Sequence, residues 1–284
     1  MLSESLVQLP GEPDVRLFVA QTRGPADRVL LVVHGGPDWD HTYLRDPLVR
    51  LEGSHRVVFT DLRGCGRSTS GLADDRYTPD AVVTDLLELL DALGVERADV
   101  LGFSYGGMIA QRLAVAAPER IRRLIIASSS IPPVPADAYD DWPEAAALRD
   151  TNACAWADDP SPELVRADAV ECVAANVWRE QSQAELLRRL AQVRFSAEWA
   201  RPFLAGVLTP ARPQQSQARL AASGIPILLL HGRQDLTFPA KLAEQVAAEV
   251  ATATAVIIDQ AGHMAHIDQP EAWITAVASF LAEE

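Results

Sequence analysis

The chain has a single lysine, Lys241, and only three cysteines, Cys65, Cys154 and Cys172, in 284 residues. An odd set of widely spaced thiols points to neither a disulfide framework nor a zinc knuckle. Positive charge is also scarce. The 25 Lys and Arg residues face 39 Asp and Glu, a formal charge of −14, so the chain lacks the electrostatic footprint of a nucleic-acid binder and is not suited to an anionic membrane. No apolar run approaches the roughly 20 residues of a membrane span. The opening MLSESLVQLPGEPD has neither the basic nor the apolar region of a secretory signal, so a cytoplasmic protein is expected. Internal repeats and low-complexity tracts are missing as well, and no feature fixes an oligomeric state.

What the sequence does contain is alternation. Residues 15–20, 29–33, 57–60, 98–103, 124–128, 227–231 and 255–259 read as strands. Several are apolar at every position, the pattern of strands buried on both faces of a mostly parallel sheet. Helical spacing lies between them. In residues 81–94 the apolar positions Val82, Leu86, Leu89, Leu90 and Leu93 share one face, with Thr78 as N-cap, Pro79 just inside and Gly94 at the end. This predicts an α/β protein with a doubly wound, mostly parallel sheet. From 131 to 222 the strands stop, and a proline-rich opening leads into helical patterns. We therefore expect a sheet-forming core over 1–130 and 223–284, and a helical cap over 131–222.

Within that frame, ADVLGFSYGGMIAQRLA sets Gly102-Phe103-Ser104-Tyr105-Gly106 between a strand and a helix. G-x-S-x-G in this context is a sharp turn that lifts a serine hydroxyl above the sheet at a helix N-terminus. A serine needs a base to take its proton, and the base needs an orienting acid. Asp235 follows the buried strand 227–231, and His263 follows the last strand, giving the chain order Ser, acid, His. His266 and Asp259 are the rivals. His266 leads into the final helix, and Asp259 lies within or just after its strand. The strand ending LIIASSS offers no acid of its own.

Attack by Ser104 would create an oxyanion that needs two N–H donors. One is expected from the backbone of Tyr105 and the other from Gly36, in HGGP after the strand 29–33. His34, Asp38, Asp40 and His41 in the same stretch could be read as metal ligands. HGGP, however, spends three positions on backbone shape, and neither an HxH pair nor an HExxH helix accompanies it, so no metal and no cofactor is expected. Asp38 and Asp40 read more simply as helix N-caps.

Taken together, these residues resemble an α/β-hydrolase-fold serine hydrolase over nearly the whole chain. HGGP (34–37) and DLRGCGRS (61–68) look like the proline iminopeptidase branch, whose members carry HGGPG and a D-x-RGxGxS loop. The resemblance implies a triad of Ser104, Asp235 and His263, a helical cap, and release of an N-terminal residue whose ammonium is held by cap glutamates. Asp38 stands where that branch has the last glycine of HGGPG, and Tyr105 where tryptophan is more usual. Glu171, Glu180 and Glu198 lie in the cap without a motif match, and Glu198 is carried as a substrate-binding candidate. Asp61 and Arg63 are expected to brace their loop. The tryptophans Trp142, Trp156, Trp178 and Trp199 are candidates to line a cleft, with Trp178 and Trp199 carried as substrate-binding residues.

The function expected is hydrolysis of an amide or ester of a small molecule or short peptide through an acyl-enzyme. An iminopeptidase-like aminopeptidase and a small-molecule esterase, lactonase or thioesterase both fit. A ligand-binding module without catalysis is the alternative of another class.

Overall fold

The computed structural model describes residues 2–142, 145 and 160–283. Among them, eight strands form one sheet in the order β1-β2-β4-β3-β5-β6-β7-β8. β1 (Ser3–Gln8) and β2 (Arg16–Gln21) pair antiparallel, and β2 pairs antiparallel with β4 (Arg56–Thr60). From β4 through β3 (Val29–Val33), β5 (Ala98–Phe103), β6 (Ile121–Ala127), β7 (Ile227–Gly232) and β8 (Ala253–Ile258) every pairing is parallel. The strands apolar at consecutive positions occupy the middle: every residue of β3, β5 and β7 is buried. β1 is the strand that sequence reading did not expect. It lies at the sheet edge with Leu6 half exposed, so it carries no buried-face signature.

The helices of eight residues or more are α1 (Pro79–Ala92), α2 (Tyr105–Ala116), α3 (Pro162–Glu171), α4 (Glu180–Leu190), α5 (Ser216–Ser223), α6 (Ala240–Glu249) and α7 (Pro270–Ala282). α1 starts as its sequence dictates: the Thr78 hydroxyl accepts the N–H of Ala81 at 3.1 Å, and Pro79 takes the first position, where its missing N–H costs nothing. The chain leaves α1 through Gly94 at φ 66°. One apolar core joins α1 and α2 to one face of the sheet, and a second joins α7 and the loop at Tyr43 to the other. None of the described helices is long and apolar enough to cross a membrane.

Between β6 and β7 the described residues form helices and no strand. α3 and the short helix Val173–Asn176 reach the cavity at the carboxyl ends of the strands. α5 packs beside α2, where the Ser216 hydroxyl donates to the amide oxygen of Gln111 at 2.7 Å. Trp156 and Cys154 lie outside the described residues.

A buried ion pair fastens α1 to the loop after β4. The Arg63 guanidinium donates twice to the Asp85 carboxylate, at 2.6 Å from both Nε and Nη2, and once to the Arg76 carbonyl at 3.0 Å. Both side chains are shut off from water. Removing Asp85 leaves the buried Arg63 charge with only carbonyls and the more distant Glu12 carboxylate, 3.9 Å away, which costs more than losing the attraction alone. Asp85→Ala should therefore lower the unfolding free energy by about 3–5 kcal/mol, read from urea denaturation. An Asp85→Leu/Arg63→Leu double variant should lose less than Asp85→Ala does.

Candidate active site

Ser104 sits at φ 54° and ψ −118°, a left-handed backbone geometry that side chains rarely adopt. Its surroundings show why the flanking positions are glycine. A Cβ on Gly102 would stand 2.3 Å from the Gly106 carbonyl oxygen, and one on Gly106 would stand 2.2 Å from that of Val33. The elbow is thus clamped between β3 and the first turn of α2. The Ser104 N–H is also tied to the carbonyl of Ala127, at 2.9 Å, across the neighbouring β6.

His263 meets the serine: its Nε2 lies 3.0 Å from Ser104 Oγ. Its Nδ1 lies 3.0 and 3.2 Å from the two carboxylate oxygens of Asp235. With Nδ1–H donating to the carboxylate, the Nε2 lone pair faces the hydroxyl, the tautomer a base requires. Asp235 is itself held rigid, accepting the N–H groups of Thr237 at 2.7 Å and Phe238 at 2.9 Å. Burial works against its charge, but His263 and the Phe238 N–H outweigh it and hold the carboxyl below the usual carboxylate range. The imidazole itself packs against the rings of Phe103 and Phe238.

Gly36 lines the cavity that holds Ser104, and Tyr105 directly follows the serine at the start of α2. Neither N–H is taken by an acceptor among the described residues. Gly36 has φ 114°, a conformation that suits glycine alone. The rest of its loop is fastened by the side chains that could have been metal ligands. His34 Nδ1 donates to the Gly35 carbonyl at 2.7 Å, while its Nε2 accepts the Leu62 N–H at 3.1 Å. The Asp38 carboxylate accepts the Ser196 hydroxyl at 2.7 Å and the N–H groups of Trp199 and Ala200 at 3.0 and 2.9 Å. Asp40 accepts the N–H groups of Thr42 and Arg194. His41 Nδ1 donates to Asp61 at 2.5 Å and its Nε2 accepts from Arg45. His34, Asp38 and Asp40 are thus spent on fixing backbone, and His41 on the side chains of Asp61 and Arg45.

The three substrate-binding candidates fall elsewhere. Trp199 is wholly buried behind the HGGP loop, between the rings of Tyr77 and Tyr105, with its indole N–H donating to the Arg63 carbonyl at 2.8 Å. Glu198 accepts the Tyr77 hydroxyl and the Gly71 N–H and pairs with Arg201 at 3.0 Å. Trp178 is 45% exposed and packs on Trp142. None of them lines the cavity at Ser104, which has a volume of about 180 Å³. Its walls are instead Gly36, Pro37, Trp39, Tyr43 and Phe103 from the core side, Val165, Asp168 and Asn176 from the helices above, and Met264 beside His263.

Sequence reading also missed Asp268. Its carboxylate accepts the N–H groups of Gly262 and Trp178, both at 2.8 Å, and of Arg179 at 3.1 Å, joining the His263 loop to the helical region. Nothing in HIDQP marks it, because its partners are backbone groups 6 to 90 residues away. Among the described residues, no group of three or more His, Cys, Asp and Glu side chains is placed to hold a metal ion.

A sheet of this order, a strained serine at the β5–α2 turn and a His–Asp pair after β7 and β8 define a class of fold. The chain belongs to the α/β hydrolase fold family, whose sequence profile it matches over residues 28–270. It is 30% identical to the 2-hydroxymuconate semialdehyde hydrolase of Pseudomonas sp. strain CF600, over 89% of this chain and 87% of that protein. It is 28% identical to a putative carbamate hydrolase of Caulobacter sp. strain K31, over 92% and 94%. Among solved structures, a hydrolase from Pseudomonas aeruginosa superposes with a TM-score of 0.74 at 27% identity, covering 99% of both chains. The proline iminopeptidase of Mycobacterium smegmatis shares the fold with a TM-score of 0.70 at 23% identity, covering 98% and 97%.

His231, at the end of β7, is buried four residues before Asp235, and burial pushes its pKa down to about 4. Its folded value lies below the ordinary 6.5, so the unfolded chain takes up the proton first. Stability contributed by the neutral ring is complete above pH 6.5 and is lost as the pH falls toward 4. Between those values the slope should be about 1.4 kcal/mol per pH unit for this one proton. His231→Leu should flatten the acid limb by that amount, measured by denaturant melts at a series of pH values.

Proposed function

We propose that this protein is a serine hydrolase that cleaves an ester or amide of a small acyl substrate through an acyl-enzyme on Ser104. The observation that carries the reading is the hydrogen-bonded line from Ser104 Oγ through His263 to Asp235, beside the two free N–H groups of Gly36 and Tyr105. His263 takes the serine proton as the Oγ–acyl bond forms and returns it to the leaving group. Asp235 holds the tautomer and supports the imidazolium. A water then repeats the sequence to release the acid. The N–H groups of Gly36 and Tyr105 receive the oxyanion.

The small cavity and its mostly apolar wall support a compact acyl group and the esterase side of the proposal. The 2-hydroxymuconate semialdehyde hydrolase, named for a small substrate, is a further support for the compact size of the substrate. One observation favours the aminopeptidase reading. Asp168, on α3, is an acidic residue of the cavity wall, the residue type that binding of an ammonium calls for, whereas Glu198 does not line the cavity.

Acyl p-nitrophenyl esters and aminoacyl p-nitroanilides, assayed side by side, separate these readings. We expect turnover of short-chain esters irrespective of a free α-amine; a strict amine requirement would shift the assignment to the peptidase. Ser104→Ala should reduce turnover by about 10⁴-fold or more and abolish labelling by a fluorophosphonate. A wild-type protein that neither labels nor turns over any of these compounds would fit a ligand-binding module instead.

A further inference from the structure

We infer that Tyr43 is a catalytic residue whose phenol donates a third hydrogen bond to the oxyanion formed at Ser104; this rests on the acyl-enzyme reading above. Tyr43 is buried at 1% exposure, and it forms part of the wall of the cavity that holds Ser104 and His263. Its oxygen accepts the N–H of Gly35 at 2.8 Å. That contact satisfies the acceptor side of the hydroxyl and leaves its proton to be placed. No acceptor among the described residues takes it. A buried hydroxyl proton without an acceptor is a cost that a bound substrate oxygen can remove.

The distances bring the phenol to the reacting atoms. A Cβ built on Gly35 would stand 3.0 Å from the Tyr43 oxygen and 3.0 Å from the Cβ of Ser104, so those two atoms are separated by no more than twice that distance. The tetrahedral carbon bonded to Ser104 Oγ carries its oxyanion on the side of the Gly36 and Tyr105 N–H groups, and the phenol stands on the loop that bears one of them.

The ring is fixed before substrate arrives. Trp39 and Phe103 pack edge-on against it, with centroids 5.2 and 5.8 Å away. Arg189, from α4, donates to the Tyr43 carbonyl at 2.9 Å. Burial also pushes the phenol pKa far up, so the hydroxyl keeps its proton and serves as a donor throughout the working pH range. The role is electrostatic. As Ser104 Oγ bonds to the carbonyl carbon and its proton passes to His263 Nε2, the π pair moves onto the carbonyl oxygen. Tyr43 donates to that oxygen without giving up its proton, and the bond loosens when the C=O re-forms and the leaving group departs with the proton from His263.

The test uses the full chain and the acyl p-nitrophenyl ester that the wild type turns over fastest, with three variants: Ser104→Ala, Tyr43→Phe and Tyr43→3-fluorotyrosine. Activity that survives in Ser104→Ala overturns the acyl-enzyme reading and this inference with it. With that control inactive, Tyr43→Phe should lower kcat by about 100-fold, the size of losing one oxyanion donor. KM should stay within about threefold of the wild type, since the interaction belongs to the transition state. A kcat within threefold of the wild type would overturn the inference.

Tyr43→Phe also removes the acceptor for the Gly35 N–H, so the fluorinated ring separates bracing from catalysis. Its more acidic phenol donates a stronger hydrogen bond and accepts a weaker one. A kcat at or above the wild-type value supports donation to the oxyanion. A kcat that falls in the same direction as in Tyr43→Phe identifies the phenol as a brace for Gly35 alone and overturns the proposal.

Discussion

The close approach of Gly106 to the carbonyl oxygens of Val33 and His34 is the contact on which the rest of the site depends. A methyl group there would stand 2.2 and 2.4 Å from those two oxygens, well inside any tolerated contact. With that space empty, the first turn of α2 comes down onto the end of β3. The turn before it becomes so sharp that Ser104 must adopt φ 54°. The strain, of order 1–3 kcal/mol, persists because the packed sheet on both sides leaves no alternative path for the chain. The same approach sets the loop after β3 beside the nucleophile, so one steric fact brings the hydroxyl and both candidate oxyanion donors together.

Much of this was legible in the sequence, for physical reasons that differ by element. β3, β5 and β7 showed themselves because strands buried on both faces must be apolar at every position, whatever surrounds them. The Ser104, Asp235 and His263 positions could be picked out because each closes its own strand, in an order that the fold imposes. β1 escaped because an edge strand with one partner and a wet face has no obligatory pattern. The cavity wall escaped for a related reason. Whether a tryptophan faces substrate or core depends on where its indole N–H finds an acceptor, and for Trp199 that acceptor is a carbonyl 136 residues away. Glu198 was unreadable in the same sense, since Tyr77 and Arg201 decide its direction.

The acidic composition takes on a local meaning in this light. Asp38, Asp40, Asp61, Asp235 and Asp268 are all buried, and each accepts at least one backbone N–H. A short carboxylate reaches neighbouring amides with little side-chain entropy to lose, and its charge makes each of those hydrogen bonds stronger than a neutral one. Three of the five lie in the loops after β3 and β4, where the chain has no ladder to satisfy its N–H groups, and Asp268 ends the short helix Ala265–Asp268 after β8. The fifth, Asp235, does the same for its own loop while facing His263.

These aspartates also tie the two layers of the molecule to each other. Asp38 leaves Gly36 by two residues and ends on Ser196, Trp199 and Ala200. Asp268 lies five residues past His263 and ends on Trp178 and Arg179. The HGGP loop and the histidine loop are each anchored to the helical layer rather than to the sheet alone. Hydrogen bonds therefore tie the helical layer to the loop of a candidate N–H donor on one side and to that of the candidate base on the other. The glycine that Asp38 replaces could have made the turn but not the link. In this chain the position after HGGP ties the loop of the candidate oxyanion donor to the helical layer.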